Sequence, residues 1–476
     1  MENNVSPLSA TPSTGTAKIL VIPVWFTDSD SYISSKKKES VRNDIYTAYF
    51  GTNEETGWRS VKTYYEEESH GALTYTGTVS EWYECGKSEE RYHTDGSYPG
   101  KTMTLVSNAT AWYFSHHDEN RRDYDGNHDG YLDGVVLIYG APDYSAARKY
   151  DRSNMWAYTY WMQDSSLNSI LEPGENVFFW ASYDFMYSPG TPATNHTGVP
   201  TKPYGSGDTK HCNIDAHTYI HEMGHMFGLD DYYDYSGQFS PAGGFSMQDK
   251  NVGGHDPFSI LSLGWGKAYI PTESVNINLK PLSTTGEMII LSPNWNEFNS
   301  PFDEYLVLEY FTPTGVNEFD STYNYRGSSP AGSKKSGIRL WHIDARLLYA
   351  NSELSSFSIN HVTTDPSSEL GRVTLMMTNT YEIEGQESGY ITYLGSDYAD
   401  YKLLKYVRND KTIETHKTTD QMKESNLFKK GDSFTMSQYG SQFVETGKLN
   451  SDLDLGFSFS VVNIKDEYAS ITIAKL

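Results

Sequence analysis

The chain has 476 residues, enough for two or three domains. Its 37 Lys and Arg against 62 Asp and Glu leave a net charge of −25. That balance argues against non-specific nucleic-acid binding, where affinity comes from neutralising phosphates, and against docking on anionic membranes. Aromatic residues make up 14% and glycines number 39, which suits a folded, strand- and turn-rich protein. No apolar run approaches the roughly 20 residues a spanning helix needs. Two cysteines, Cys85 and Cys212, exclude a disulfide scaffold and a Cys-rich zinc ribbon.

In chain order, residues 1–16 read as a flexible Ser/Thr/Pro-rich tail without an apolar leader. Ile19, Leu20, Val21 and Ile22 form a buried-strand run. Residues 60–69 predict a helix with Val61, Tyr64 and Tyr65 on one side, and Leu73, Tyr75, Gly77 and Val79 predict a half-exposed strand. Residues 103–114 predict a second helix and residues 134–139 a buried strand. Residues 176–183 predict an aromatic strand, expected at a sheet edge where extended peptide could pair with it. Residues 215–227 predict the clearest helix, with Asp215 as N-cap, Ala216, Ile220, Met223 and Phe227 at helical spacing, and Gly228 as the stop. Beyond residue 270, strand-like runs alternate with turn signals. The expected organisation is therefore a mixed α/β domain over 17–270 and a β-rich, sandwich-like domain over 271–476, an α+β chain in all.

The residues 125–133 are dense in oxygen donors. Asp125, Asn127, Asp129 and Asp133 take positions one, three, five and nine of an EF-hand-like loop. Gly130 stands at six, and Tyr131 offers its carbonyl at seven. Val136 replaces the bidentate Glu and a strand follows, so the expectation is a calcium-type loop capping a strand, with Asp123 completing the shell.

The central pattern is His221-Glu222-Met223-Gly224-His225. On a helix, positions four apart share a face, so both imidazoles can bind one zinc ion. Glu222 points about 100° away, placed to act on water without ligating. Asp231, ten residues after His221, has the spacing of a third ligand; Asp230 and Asp234 are its competitors. His217 also lies four residues from His221, but Thr218 stands where the base belongs, which favours a packed or supporting role. Three protein ligands would leave one zinc position open, the arrangement of a hydrolytic site. His342 and Asp344 share a strand face and are expected to form a buried hydrogen-bonded pair.

HEMGHMFGLDDYYD (residues 221–234) and GGFSMQDKNVGGHDPFSILSLGW (243–265) resemble the immune inhibitor A-like secreted zinc metallopeptidases, a metzincin-related family. KILVIPVWFTD (18–28), SVKTYYEEESHGALTYTGTV (60–79) and GIRLWHIDARL (337–347) also resemble that family. The resemblance implies a zincin-like catalytic domain, zinc on His221, His225 and Asp231, Glu222 as catalytic base, and Met247 as the turn methionine beneath the metal. It further implies an acidic calcium loop at 123–133, a secreted or cell-surface location, and a protein or peptide substrate. Two departures stand out. Asp230 occupies the place of a proline before the aspartate ligand. Gln248 and Asp249 follow Met247, so the tyrosine that some metzincins carry there is missing, and His255 becomes the candidate transition-state donor. The rival reading is a zincin-fold protein that binds glycan or host protein through its β-rich domain.

Overall fold

The computed structural model describes residues 10–92, 99–143, 155–162, 164–187, 213–237, 239–324, 331–350, 357–360, 374–380, 400–412, 421–445 and 447–476. It is an α+β chain of two compact units. The first runs over Ser6–Leu229, and the second over Asp230–Tyr323 and Ser329–Leu476. Among the described residues no helix is long and apolar enough to cross a membrane.

The first unit is built on a 6-stranded sheet. Its strands are β1 (Gly15–Trp25), β2 (Leu73–Val79), β3 (Tyr83–Glu84), β4 (Val135–Tyr139), β5 (Tyr158–Trp161) and β6 (Val177–Ser182). The order is β2-β1-β4-β6-β5, with β3 also pairing β1. All pairs are parallel except β5 on β6. Parallel strands covered on both faces are apolar throughout, which explains why β4 and β6 are buried at every position. Around this sheet stand α1 (Lys38–Phe50), α2 (Val61–Glu68), α3 (Gly100–His116) and α4 (His217–Met226). Phe178 and Trp180 join Leu105, Val106 and Ala109 of α3 in one core. Phe179 faces the other way, edge-on to Tyr219 of α4 at 5.8 Å, as successive strand residues must.

Three expectations change here. The strand at residues 177–182 is central rather than an edge; the edge is β5. Its apolar run reports two covered faces; it is central because β4 and β5 pair both its edges. The tail is also shorter than residues 1–16. Gly15 and Thr16 belong to β1, while Thr11 is buried, its N–H on Met226 O (2.8 Å) and its hydroxyl on Asp133 O (2.6 Å). Helix α4 begins at His217, with Ala216 at the cap position. Asp215 still accepts from His217 N–H at 2.9 Å, one residue earlier than a regular cap.

The second unit opens with α5 (Met247–Lys250), α6 (Pro257–Ser262), β7 (Lys267–Tyr269), β8 (Val275–Leu279), β9 (Glu287–Leu291), β10 (Glu304–Phe311) and α7 (Asn317–Thr322). It continues with β11 (Gly337–Asp344), β12 (Leu347–Ala350), β13 (Phe357–Asn360), β14 (Thr374–Met376), β15 (Leu404–Val407), β16 (Ser433–Phe434), β17 (Phe457–Lys465) and β18 (Tyr468–Lys475). These form sheets ordered β15-β11-β10-β9-β7, β13-β12-β14 and β16-β17-β18-β8. Leu306, Leu308 and Ile289 of the first sheet share a core with Phe459, Val461 and Ile471 of the third.

The division falls after Leu229, not near residue 270. The segment that follows is tied into the β-rich unit. Tyr232 O accepts from Asn379 Nδ2 (2.9 Å), Pro241 O from Tyr406 N–H (2.9 Å) and Phe245 O from Arg339 Nη1 (3.0 Å). Gly253 and Gly254 donate to Asp320 (2.7 Å) and Asn317 (2.8 Å). A loop's composition does not reveal which distant residues its backbone will bond, so the boundary was hidden from local sequence.

Candidate metal centre

Helix α4 is buried along nearly its whole length, which fits its apolar positions and its place against β5 and β6. Tyr65 donates to Ile220 O at 2.6 Å and Tyr219 to Ser182 O at 2.8 Å. The helix stops in a Schellman arrangement. Gly228 takes φ +96°, its N–H bonds His225 O (2.8 Å), and Leu229 N–H bonds Gly224 O (3.0 Å). That stop brings the Leu229 carbonyl to His225 Nδ1 at 2.8 Å. A carbonyl only accepts, so Nδ1 carries the proton and Nε2 keeps its lone pair in the neutral ring.

His221 and His225 face each other with their Nε2 atoms 3.1 Å apart. Two nitrogens on a tetrahedral zinc at about 2.0–2.1 Å would stand about 3.3 Å apart, so little adjustment is needed. Asp231 joins them: one ligand atom from each of His221, His225 and Asp231 lies within 4.8 Å of the others. Two imidazoles and a carboxylate are a donor set zinc accepts, and the residues present fit it. All three are buried or partly buried. Glu222, 8% exposed, is outside the set, and its backbone carbonyl accepts from Thr159 Oγ1 of β5 at 2.9 Å.

The neighbouring candidates separate cleanly. His217 is fully buried, stacked on Trp58 at 3.9 Å, with Nδ1 on Asp215 Oδ1 at 2.8 Å; it packs and is no member of the cluster. Asp230 Oδ1 accepts the Asp231 N–H at 2.9 Å, a local brace where the family pattern has proline. Asp234 organises the following turn, accepting from Ser236 N–H (3.0 Å), Ser236 Oγ (2.5 Å) and Phe239 N–H (2.9 Å). His255 is buried and edge-on to Trp265 at 6.2 Å, and it is not in the cluster either. Met247 is fully buried at the start of α5, its N–H on Gly254 O at 3.2 Å.

Sequence reasoning missed Tyr235, whose hydroxyl donates to Asp231 Oδ2. The residue is half-exposed while its hydroxyl end lies inward against Asp231. Burial first, and then the Asp231 charge, push this phenol far above its ordinary value. No sequence signal marks it, because the spacing of four has meaning only on a helix.

The acidic loop takes another form. Asp125 accepts from Asp129 N–H (3.0 Å) and Gly130 N–H (3.2 Å), and Asp129 Oδ1 from Tyr131 N–H (2.9 Å). Asn127 Oδ1 accepts from Asp129 N–H at 3.2 Å, and Asp133 from Gly126 and Lys18 N–H, both at 2.8 Å. Asp123 accepts the Asn120 N–H at 3.3 Å. Burial pushes the Asp133 carboxyl up to about 7 against the pull of those two N–H groups. Among the described residues no second set of three His, Cys, Asp or Glu ligand atoms converges as the histidine cluster does. In this structure the loop is an amide-capped turn. Cys85 is a free thiol; Cys212 lies outside the described residues.

No protein-family model matches the chain, and no curated protein is similar enough to it to serve as a relative.

Proposed function

We propose that the chain is a zinc-dependent endopeptidase with a zincin-like first unit. The observation that carries this reading is the convergence of His221, His225 and Asp231 beside Glu222. Zinc bound there would supply Lewis acidity, acidifying water and polarising a carbonyl oxygen. Glu222 accepts the proton of the attacking water as its oxygen bonds the peptide carbon. It then returns that proton to the amine nitrogen as the C–N bond breaks. His225, held by Leu229 O, and Asp231 keep the donor atoms aimed inward. Among the described residues β5 is paired on one side only, so an extended peptide can add to its outer edge. Thr159 ties that strand to Glu222.

The test is Glu222→Gln in casein hydrolysis alongside zinc content. Proteolysis falls by roughly 10²–10⁴-fold while zinc stays bound. Loss of zinc from a folded variant, or undiminished cleavage, would overturn the assignment of Glu222.

A further inference from the structure

We propose that the Tyr235 hydroxyl positions Asp231 as a metal ligand. This rests on the zinc reading above. A carboxylate that gives one oxygen to a metal leaves the other to be satisfied, and at a site 8% exposed an unsatisfied oxygen is costly. Tyr235 meets that need at Oδ2, which fixes the carboxylate's rotation and leaves Oδ1 for the histidine side. The chain is arranged for this contact. Asp230 braces the Asp231 amide, and the Asp234 turn carries Tyr235 back toward Asp231. Tyr235 N–H reaches Thr380 Oγ1 at 3.4 Å, and Tyr233 abuts its ring edge-on at 5.0 Å. A residue 49% exposed contributes little to a core, so the hydroxyl is what the geometry uses. Tyr235 is thus a positioning residue, acting through Asp231.

The experiment uses the full chain stripped of metal and titrated with Co²⁺, read by its visible d–d bands, and with Zn²⁺ against a competing chelator. Tyr235→Phe keeps the ring and removes only the hydroxyl; Tyr233→Phe is the control. Tyr235→Phe is expected to bind both metals 10–100-fold more weakly, the usual effect of removing such a partner. Its cobalt bands should change and its metal-free melting temperature should not. Tyr233→Phe should match the unaltered chain. Equal affinity and an unchanged cobalt spectrum in Tyr235→Phe would overturn this inference alone. A lower metal-free melting temperature with unchanged bands would assign the hydroxyl to folding and overturn it too. Failure of the unaltered chain to bind either metal would overturn the zinc reading itself.

Discussion

Gly228→Ala separates backbone strain from packing at the metal centre. Gly228 has φ +96°, and a Cβ built there meets nothing nearer than Ala10 Cβ at 3.9 Å. The cost is therefore conformational, about 1–2 kcal/mol for an L-residue forced left-handed. For a unit of some 220 residues that lowers the melting temperature by roughly 2–4 °C per kcal/mol. The same change pulls on Leu229, whose carbonyl holds His225 Nδ1. Loss of such a ligand-orienting bond weakens metal binding by about 10–100-fold. Differential scanning calorimetry of the metal-free chain reads the first effect and competitive zinc titration the second. Gly228→Asn should lose less stability, because Asn tolerates the left-handed region better than Ala. A Gly228→Ala protein with unchanged melting and unchanged zinc affinity would refute the claim that this stop shapes the centre.

Asp231→Ala should weaken zinc binding far more than Asp230→Ala, while Asp234→Ala should mainly lower the melting temperature because it removes the bonds that fold the turn; equal zinc loss in all three would contradict the ligand assignment. Calcium at 100 times its Kd would stabilise the chain by about 2.7 kcal/mol. If the acidic loop closes on calcium, millimolar Ca²⁺ with zinc held constant raises the melting temperature and Asp129→Ala abolishes the rise. An equal rise with Mg²⁺ leaves only an amide-capped turn. Glu304 carries a pH signature. Burial pushes its carboxyl up, but the His342 bond and charge, Arg346 and Ser451 N–H together hold it below its ordinary value of 4.5. A depressed carboxyl stabilises the folded state above its unfolded value and loses that contribution as pH falls toward the folded one. Acid unfolding of the unaltered chain should therefore be steeper below pH 4.5 than that of Glu304→Gln; superimposable acid limbs would count against this.

The clustering of His221 and His225 was legible because helical spacing fixes geometry locally. His221 and His225 share a face through a rule with few exceptions, and Gly228 announces the turn that follows. The apolar side of residues 60–69 likewise marked α2, which in the structure is capped by Ser60 on Thr63 N–H. Helix α1 was not read: Val41, Ile45, Ala48 and Tyr49 are its buried face, but the lysine run before it and Asn43 and Asp44 within it blur the period. His342 and Asp344 are buried, but in place of the expected pair they bond Glu304 and Arg346. What sequence concealed was pairing outside helical spacing: the docking of Thr11, the division at Leu229, and the Tyr235 contact.

The anchoring of the segment after Leu229 also bears on timing. Tyr232 is held by Asn379, 147 residues downstream. A ribosome adding roughly 5–20 residues per second takes about 7–30 s to cover that interval. His221, Glu222 and His225 emerge first, as do the local Asp230 and Tyr235 supports of Asp231, whereas the long-range anchor at Tyr232 forms only when Asn379 has been made. A nascent chain would then carry the two histidines and Glu222 before the long-range anchors around Asp231, the third donor of the proposed zinc site, have been made.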